Sequence, residues 1–106
     1  MKNVMLIVLL VSTTFLTTVI VAQTLKDNHI TGVIFNSSKQ PVASVWVILS
    51  QKNQQLAQSL TGDDGKYYIG NLVKGNYDLE VKRGDKSLLT REVSLPKDTV
   101  NNIQLP

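Results

Sequence analysis

The chain contains no cysteine, so a disulfide framework, a thiolate metal site and a cysteine-linked lipid anchor are all excluded. Histidine occurs once, as His29, and one imidazole near the start of a strand supplies neither a hydrolytic triad nor a metal cluster. Long runs of one charge are also missing. The formal net charge is +3, and Lys2 accounts for one of those charges. The remaining residues hold 10 basic and 8 acidic side chains, well spread. That balance argues against nucleic acid or an anionic membrane surface as a partner. No stretch after residue 28 shows a helical period. Without cysteine, stability must come from packing alone, and a domain this small buries only about 60–65% of its unfolded surface.

What is present begins with an uncharged run from Asn3 to Leu25, preceded by Lys2. Its core, VMLIVLLV, is strongly apolar, and the following STTFLTTVIVA is diluted with threonine. Ala22, with Ile20 two places before it, ends the run as a small-residue cleavage site. Residues 1–22 therefore read as a signal peptide helix, with Gln23 as the mature N-terminus. The rival reading is an uncleaved membrane anchor, since Val4–Ala22 is about long enough to cross a bilayer. On either reading the rest is expected to be exported, as a secreted, periplasmic or cell-surface protein. Residues 23–28 form a short linker and 29–106 one domain.

Seven short apolar stretches follow: 29–36, 42–50, 56–61, 66–70, 76–83, 86–95 and 99–105, separated by polar or glycine-bearing turns. This spacing predicts an all-β fold, a seven-stranded antiparallel β-sandwich. Side-chain alternation assigns Ile30, Ile34, Val45, Val47, Leu49, Tyr67, Ile69, Leu72, Tyr77, Leu79, Val81, Val93, Leu95, Ile103 and Leu105 to the interior. Stretch 56–61 is ambiguous: Leu56 and Leu60 share one parity, Ala57, Ser59 and Thr61 the other. Val33, Phe35, Trp46, Ile48 and Tyr68 fall on the outward parity. If the first two strands pair in one sheet, the first four of these share a face. Such a patch suits docking of an envelope protein or self-association.

ITGVIFNSSKQPVASVWVIL followed by TGDDGKYYIGNLVKGNYDLEV resembles the carboxypeptidase regulatory-like domains, which have a transthyretin-like sandwich. The matching positions are Gly32, Pro41, Thr61, Gly65, Tyr67, Asn71, Leu72, Gly75, Tyr77 and Leu79. Gly62 departs from the pattern, where the family usually has Asp, and Asp63 and Asp64 are the available substitutes. The resemblance implies turn and core roles for these residues and a non-catalytic module without cofactors. Gly75 is expected at a tight bend and Asn71 to bond backbone there. A carbohydrate-binding module with exposed aromatic side chains is the alternative reading.

Other motifs read blandly. GDDG (62–65) offers two adjacent carboxylates, too few for calcium. Arg83-Gly84-Asp85 is ordinary hairpin chemistry. Asn36-Ser37-Ser38 fits a glycosylation acceptor sequence in a loop. LPKDT (95–99) lacks the features of a sorting signal. The chain ends NNIQLP, without the motif of transthyretin-like hydrolases. An internal isopeptide bond needs an inward lysine, acid and asparagine, and Glu80 has the outward parity.

Overall fold

Each strand that alternates apolar and polar side chains has one face to bury, and two stacked sheets bury both sets together. The computed structural model describes residues 26–106. The readings of 1–22 as signal peptide or anchor, and of Gln23 as mature N-terminus, lie outside the described residues. The strands are β1 (Asn28–Phe35), β2 (Trp46–Gln51), β3 (Gln54–Leu60), β4 (Lys66–Leu72), β5 (Gly75–Arg83), β6 (Lys86–Leu95) and β7 (Ile103–Gln104). One sheet has the order β4-β1-β7 and the other β3-β2-β5-β6. All pairs are antiparallel except β1 with β7, which is parallel.

Every side chain assigned to the interior by alternation is buried, and Val42 joins them. Each such aliphatic side chain contributes roughly 1.5–3 kcal/mol relative to exposure. The ambiguous β3 resolves through its odd residues. Ala57 packs on the core and Thr61 is buried, whereas Leu56 and Leu60 are exposed. Thr61 makes this possible by satisfying backbone: its Oγ1 donates to Val42 O (2.8 Å) and accepts from Val45 N (3.1 Å).

The expected strand at 42–50 starts late, at Trp46. Ser44 is left-handed (φ 58°), which breaks the extended run, and Thr61 holds the segment instead. The expected strand at 99–105 shrinks to Ile103–Gln104 for a related reason. Residues 99–101 bond across β1 in an irregular path, Thr31 N to Thr99 O (2.9 Å) and Asn101 N to Thr31 O (2.8 Å). The turn between β2 and β3 has two left-handed residues, Lys52 (φ 52°) and Asn53 (φ 63°), the geometry favoured in tight hairpins.

Gly65 does what its turn requires. Its φ is 73°, and a Cβ there would lie 2.7 Å from Ile34 O. The bend near Asn71 departs from expectation. Asn71 itself takes the left-handed conformation (φ 58°), within a register shift between β1 and β4. Gly75 opens β5 opposite Leu95 directly after the bend at Lys74, with a positive φ of 157° that L side chains rarely adopt. Asparagine tolerates the left-handed region and β-branched residues do not. Asn71→Val should therefore cost about 1–3 kcal/mol, and Asn71→Gly should be neutral or stabilising. Urea denaturation of the pair checks this.

Two buried tyrosines anchor their phenols to backbone. Tyr67 Oη donates to Asn101 O and Tyr77 Oη to Val73 O, both at 2.6 Å. Burial raises both phenol pKa values above the ordinary value, while Arg91 partly opposes this for Tyr67 and the Val73 bond for Tyr77. An unfolded tyrosine titrates near 10. Above about pH 10 the folded chain therefore holds protons that the unfolded chain has lost, and stability falls as pH rises. Below that pH these groups contribute no pH dependence. The urea midpoint should be level from about pH 8 to 9.5 and fall beyond about pH 10, less steeply in Tyr67→Phe.

Candidate interaction faces

The outward residues do not form one face. Val33 and Phe35 lie on β1 and Tyr68 on β4, in the three-stranded sheet. Trp46 and Ile48 lie on β2, in the four-stranded sheet. The expectation that Val33, Phe35, Trp46 and Ile48 share a surface is thereby corrected. The connection 36–45 crosses from one sheet to the other, so the same parity on β1 and β2 points to opposite sides of the sandwich.

On the four-stranded sheet, Trp46 sits opposite Leu60 on one side and Lys82 on the other. Ile48 sits between Gln58 and Glu80. Trp46 and Ile48 are half-buried, and Leu60 is 48% exposed. The sequence reading missed Leu60 because the facing of β3 could not be decided. The other end of this face is polar: Asp78 lies opposite both Ser50 and Glu92. The result is an apolar cluster on the β2–β3 side next to a charged field on β5.

On the three-stranded sheet, Tyr68 is 62% exposed and His29 stacks on it, with ring centroids 5.4 Å apart at 24°. A Cβ on Gly70 would lie 2.9 Å from two atoms of the Tyr68 side chain. The phenol thus occupies the space that a side chain at position 70 would need. Lys66 lies opposite Val33 and Tyr68 opposite Thr31 on the same sheet.

Remaining positions serve the scaffold. Gly32 is buried beneath Asn101 backbone, and its strand partner is Tyr67. Pro41 bridges to Phe35, and Leu72 and Tyr77 are core. In the Gly62–Gly65 turn, Asp64 Oδ1 accepts the Lys66 N–H at 3.0 Å, so Asp64 caps the turn where Gly62 cannot. No group of three or more metal-ligating side chains occurs among the described residues. Asp63→Asn with Asp64→Asn should shift stability by less than about 1 kcal/mol, and added Ca²⁺ should leave Tm unchanged. A ligand that binds only the folded chain must raise Tm.

Asn36 is a loop clamp. Its Oδ1 accepts from Ser38 N (2.9 Å) and Gln40 N (3.0 Å). Arg83-Gly84-Asp85 sits at the exposed β5–β6 hairpin. The isopeptide arrangement is not assembled. Asn101 Oδ1 accepts from Arg91 and Asn102 Oδ1 from Val33 N. Glu80 lies on the outer face opposite Ile48, and no described lysine is buried.

Comparison with known proteins agrees with the fold. The carboxypeptidase regulatory-like domain model matches residues 29–106. A search of curated proteins finds none that matches. Among solved structures, a DUF3823 family protein from Bacteroides ovatus is similar, at TM-score 0.59 and 20% identity. That match covers 74% of this chain and 44% of the other. BcpA, the major pilin subunit of Bacillus cereus, is similar at TM-score 0.56 and 11% identity over 74% of this chain and 29% of its own. Fervidolysin, a keratinolytic enzyme of Fervidobacterium pennivorans, is similar at TM-score 0.53 and 19% identity over 73% and 16%. This chain thus spans less than half the length of each, and these likenesses concern the fold alone.

Proposed function

The chain belongs to the carboxypeptidase regulatory-like domain family, and from that premise we propose that it is an exported, non-catalytic module that docks a protein of the cell envelope. The docking surface is the outer face of the four-stranded sheet around Trp46, Ile48 and Leu60. The observation that carries this reading is the Trp46–Leu60 cross-strand pair, set beside Ile48 and bordered by Lys82 and Glu80. An apolar centre with a charged border is how protein interfaces are built, and tryptophan is the side chain most often dominant in them.

The test is capture from native envelope fractions by the full chain. Trp46→Ser with Ile48→Thr removes apolar surface while keeping strand propensity. The variant should keep its circular dichroism and lose the captured protein at least about tenfold. Leu60→Lys, at an exposed position, should act likewise. Undiminished capture by both variants would overturn the reading.

A second reading rests on the exposed Tyr68 with the half-buried His29 stacked on it, a pair of the kind that can lie against a sugar ring. In that case Tyr68→Ala, and not the Trp46 variant, abolishes retention on polysaccharide.

A further inference from the structure

Four strands end their sheets: β3 and β6 in one, β4 and β7 in the other. An edge strand offers unpaired backbone N–H and C=O groups to any further strand, and charge along it ordinarily prevents that. β6 carries Lys86, Arg91 and Glu92, β4 carries Lys66, and β7 is 2 residues long. β3, QQLAQSL, has no charge in 7 residues. It also bears two of the exposed large apolar side chains, Leu56 and Leu60.

The backbone of β3 points the right way. Thr61 gives its N–H to Val45 O and its C=O to Ser44 N. By alternation along an antiparallel pair, Gln58 and Leu60 direct their N–H and C=O groups away from β2, to the free edge. A bulge leaves Leu56 without a partner on β2, so the straight part of the edge is short, 57–60.

We propose that a second copy of the chain joins here, β3 against β3, antiparallel about a two-fold axis at Ser59. The residue on such an axis faces its own copy and those next to it lie diagonally across from theirs, so a charge near the axis meets its like and a neutral edge pairs more readily. Of the four edge strands among the described residues, β3 is the one longer than 2 residues that carries no charge along its whole length, whereas β4 begins with Lys66 and β6 holds Lys86, Arg91 and Glu92. The pairing sets Gln58 opposite Leu60 of the second copy, twice, with both residues hydrogen-bonding outward. It also runs the exposed Lys52 end of each strand toward the exposed Asp63–Asp64 turn of the other, which is complementary in charge. Trp46 and Ile48 of both copies then form one band across a continuous eight-stranded sheet. The proposal rests on the reading of this face as a docking surface and names what docks.

The experiment is sedimentation of the full chain, purified as the producing cell processes it. The mass should rise toward that of two chains as concentration approaches about 1 mM, an interface of this size being weak. Gln58→Lys and Leu60→Glu each put an unpaired charge opposite the partner strand, and each should sediment as one chain. Mixed, they set lysine against glutamate and should recover the two-chain mass. Both positions are exposed, so folding is preserved. The reversed pair, Gln58→Glu with Leu60→Lys, repeats the test independently. A single-chain mass for the unmodified protein up to about 1 mM overturns the proposal. So does unchanged association in the single variants, or a mixture no better than its parts. A chain that stays monomeric yet loses a captured protein through the Trp46 variant ends self-pairing and leaves the docking reading standing. Normal charge rescue with no loss of capture does the reverse.

Discussion

Gly32→Ala should lower the unfolding free energy by about 3 kcal/mol, the upper part of the range for overpacking a filled site. Gly32 lies in the middle of β1, where glycine weakens a strand and is out of place on propensity alone. Its reason is the segment 99–101, which crosses directly over it. A Cβ at position 32 would fall 2.0 Å from Asn101 O and 2.7 Å from Asn101 C. These are backbone atoms held by the Thr99 and Asn101 hydrogen bonds to Thr31 before the contact and by the Val33 N–H bond to Asn102 Oδ1 after it, so they cannot swing aside as a flexible side chain would. One methyl group must therefore lift the segment off β1 or push β1 away from it. Lifting it also breaks the Tyr67 Oη bond to Asn101 O and the Arg91 bond to Asn101 Oδ1. Urea denaturation gives the free energy. Hydrogen exchange should show early loss of protection at Thr31 and Asn101. A change under about 1 kcal/mol would mean that the crossing is loosely packed.

Thr61→Val should cost a similar amount, about 3 kcal/mol, although the two side chains have nearly the same volume. The hydroxyl is buried and bonds twice, to Val42 O and from Val45 N. Valine fills the space and leaves one buried C=O and one buried N–H without a partner, at about 1–3 kcal/mol each. Thr61→Ser keeps the hydroxyl and loses only a methyl group, so it should recover more than half of the loss. A Val variant as stable as the Ser variant would show that water reaches these groups.

The interior of this fold is legible in the sequence because the side-chain period of a strand is two. Tyr77, Leu79 and Val81 alternate with Asn76, Asp78 and Glu80, and no other assignment buries them. The same rule gave the outward parity of Trp46, Ile48, Val33 and Phe35 correctly. It could not say which sheet each strand joins, since period reports a face and not a neighbour. That is why a single patch was expected where two separate faces exist. Leu60 went unassigned because QQLAQSL has weak contrast between its two faces. The buried role of Thr61 depends on the Ser44 turn, which no local signal marks. The need for Gly32 arises from a segment about 70 residues away in sequence, and only the register of β1 against residues 99–104 reveals it. Asn71 is expected to bond backbone at a bend, whereas the structure places it within β4 with a left-handed backbone, which period-two alternation does not signal.

The chain has one tryptophan, Trp46, and it stands at the centre of the proposed docking surface. Acrylamide quenching of its fluorescence, with and without the protein captured from the envelope fraction, therefore tests the account most directly. The partner should reduce the quenching constant at least about twofold, as expected for an aromatic side chain enclosed at an interface centre. An unchanged quenching constant with the partner demonstrably bound would contradict it and move the interaction to another face of the sandwich.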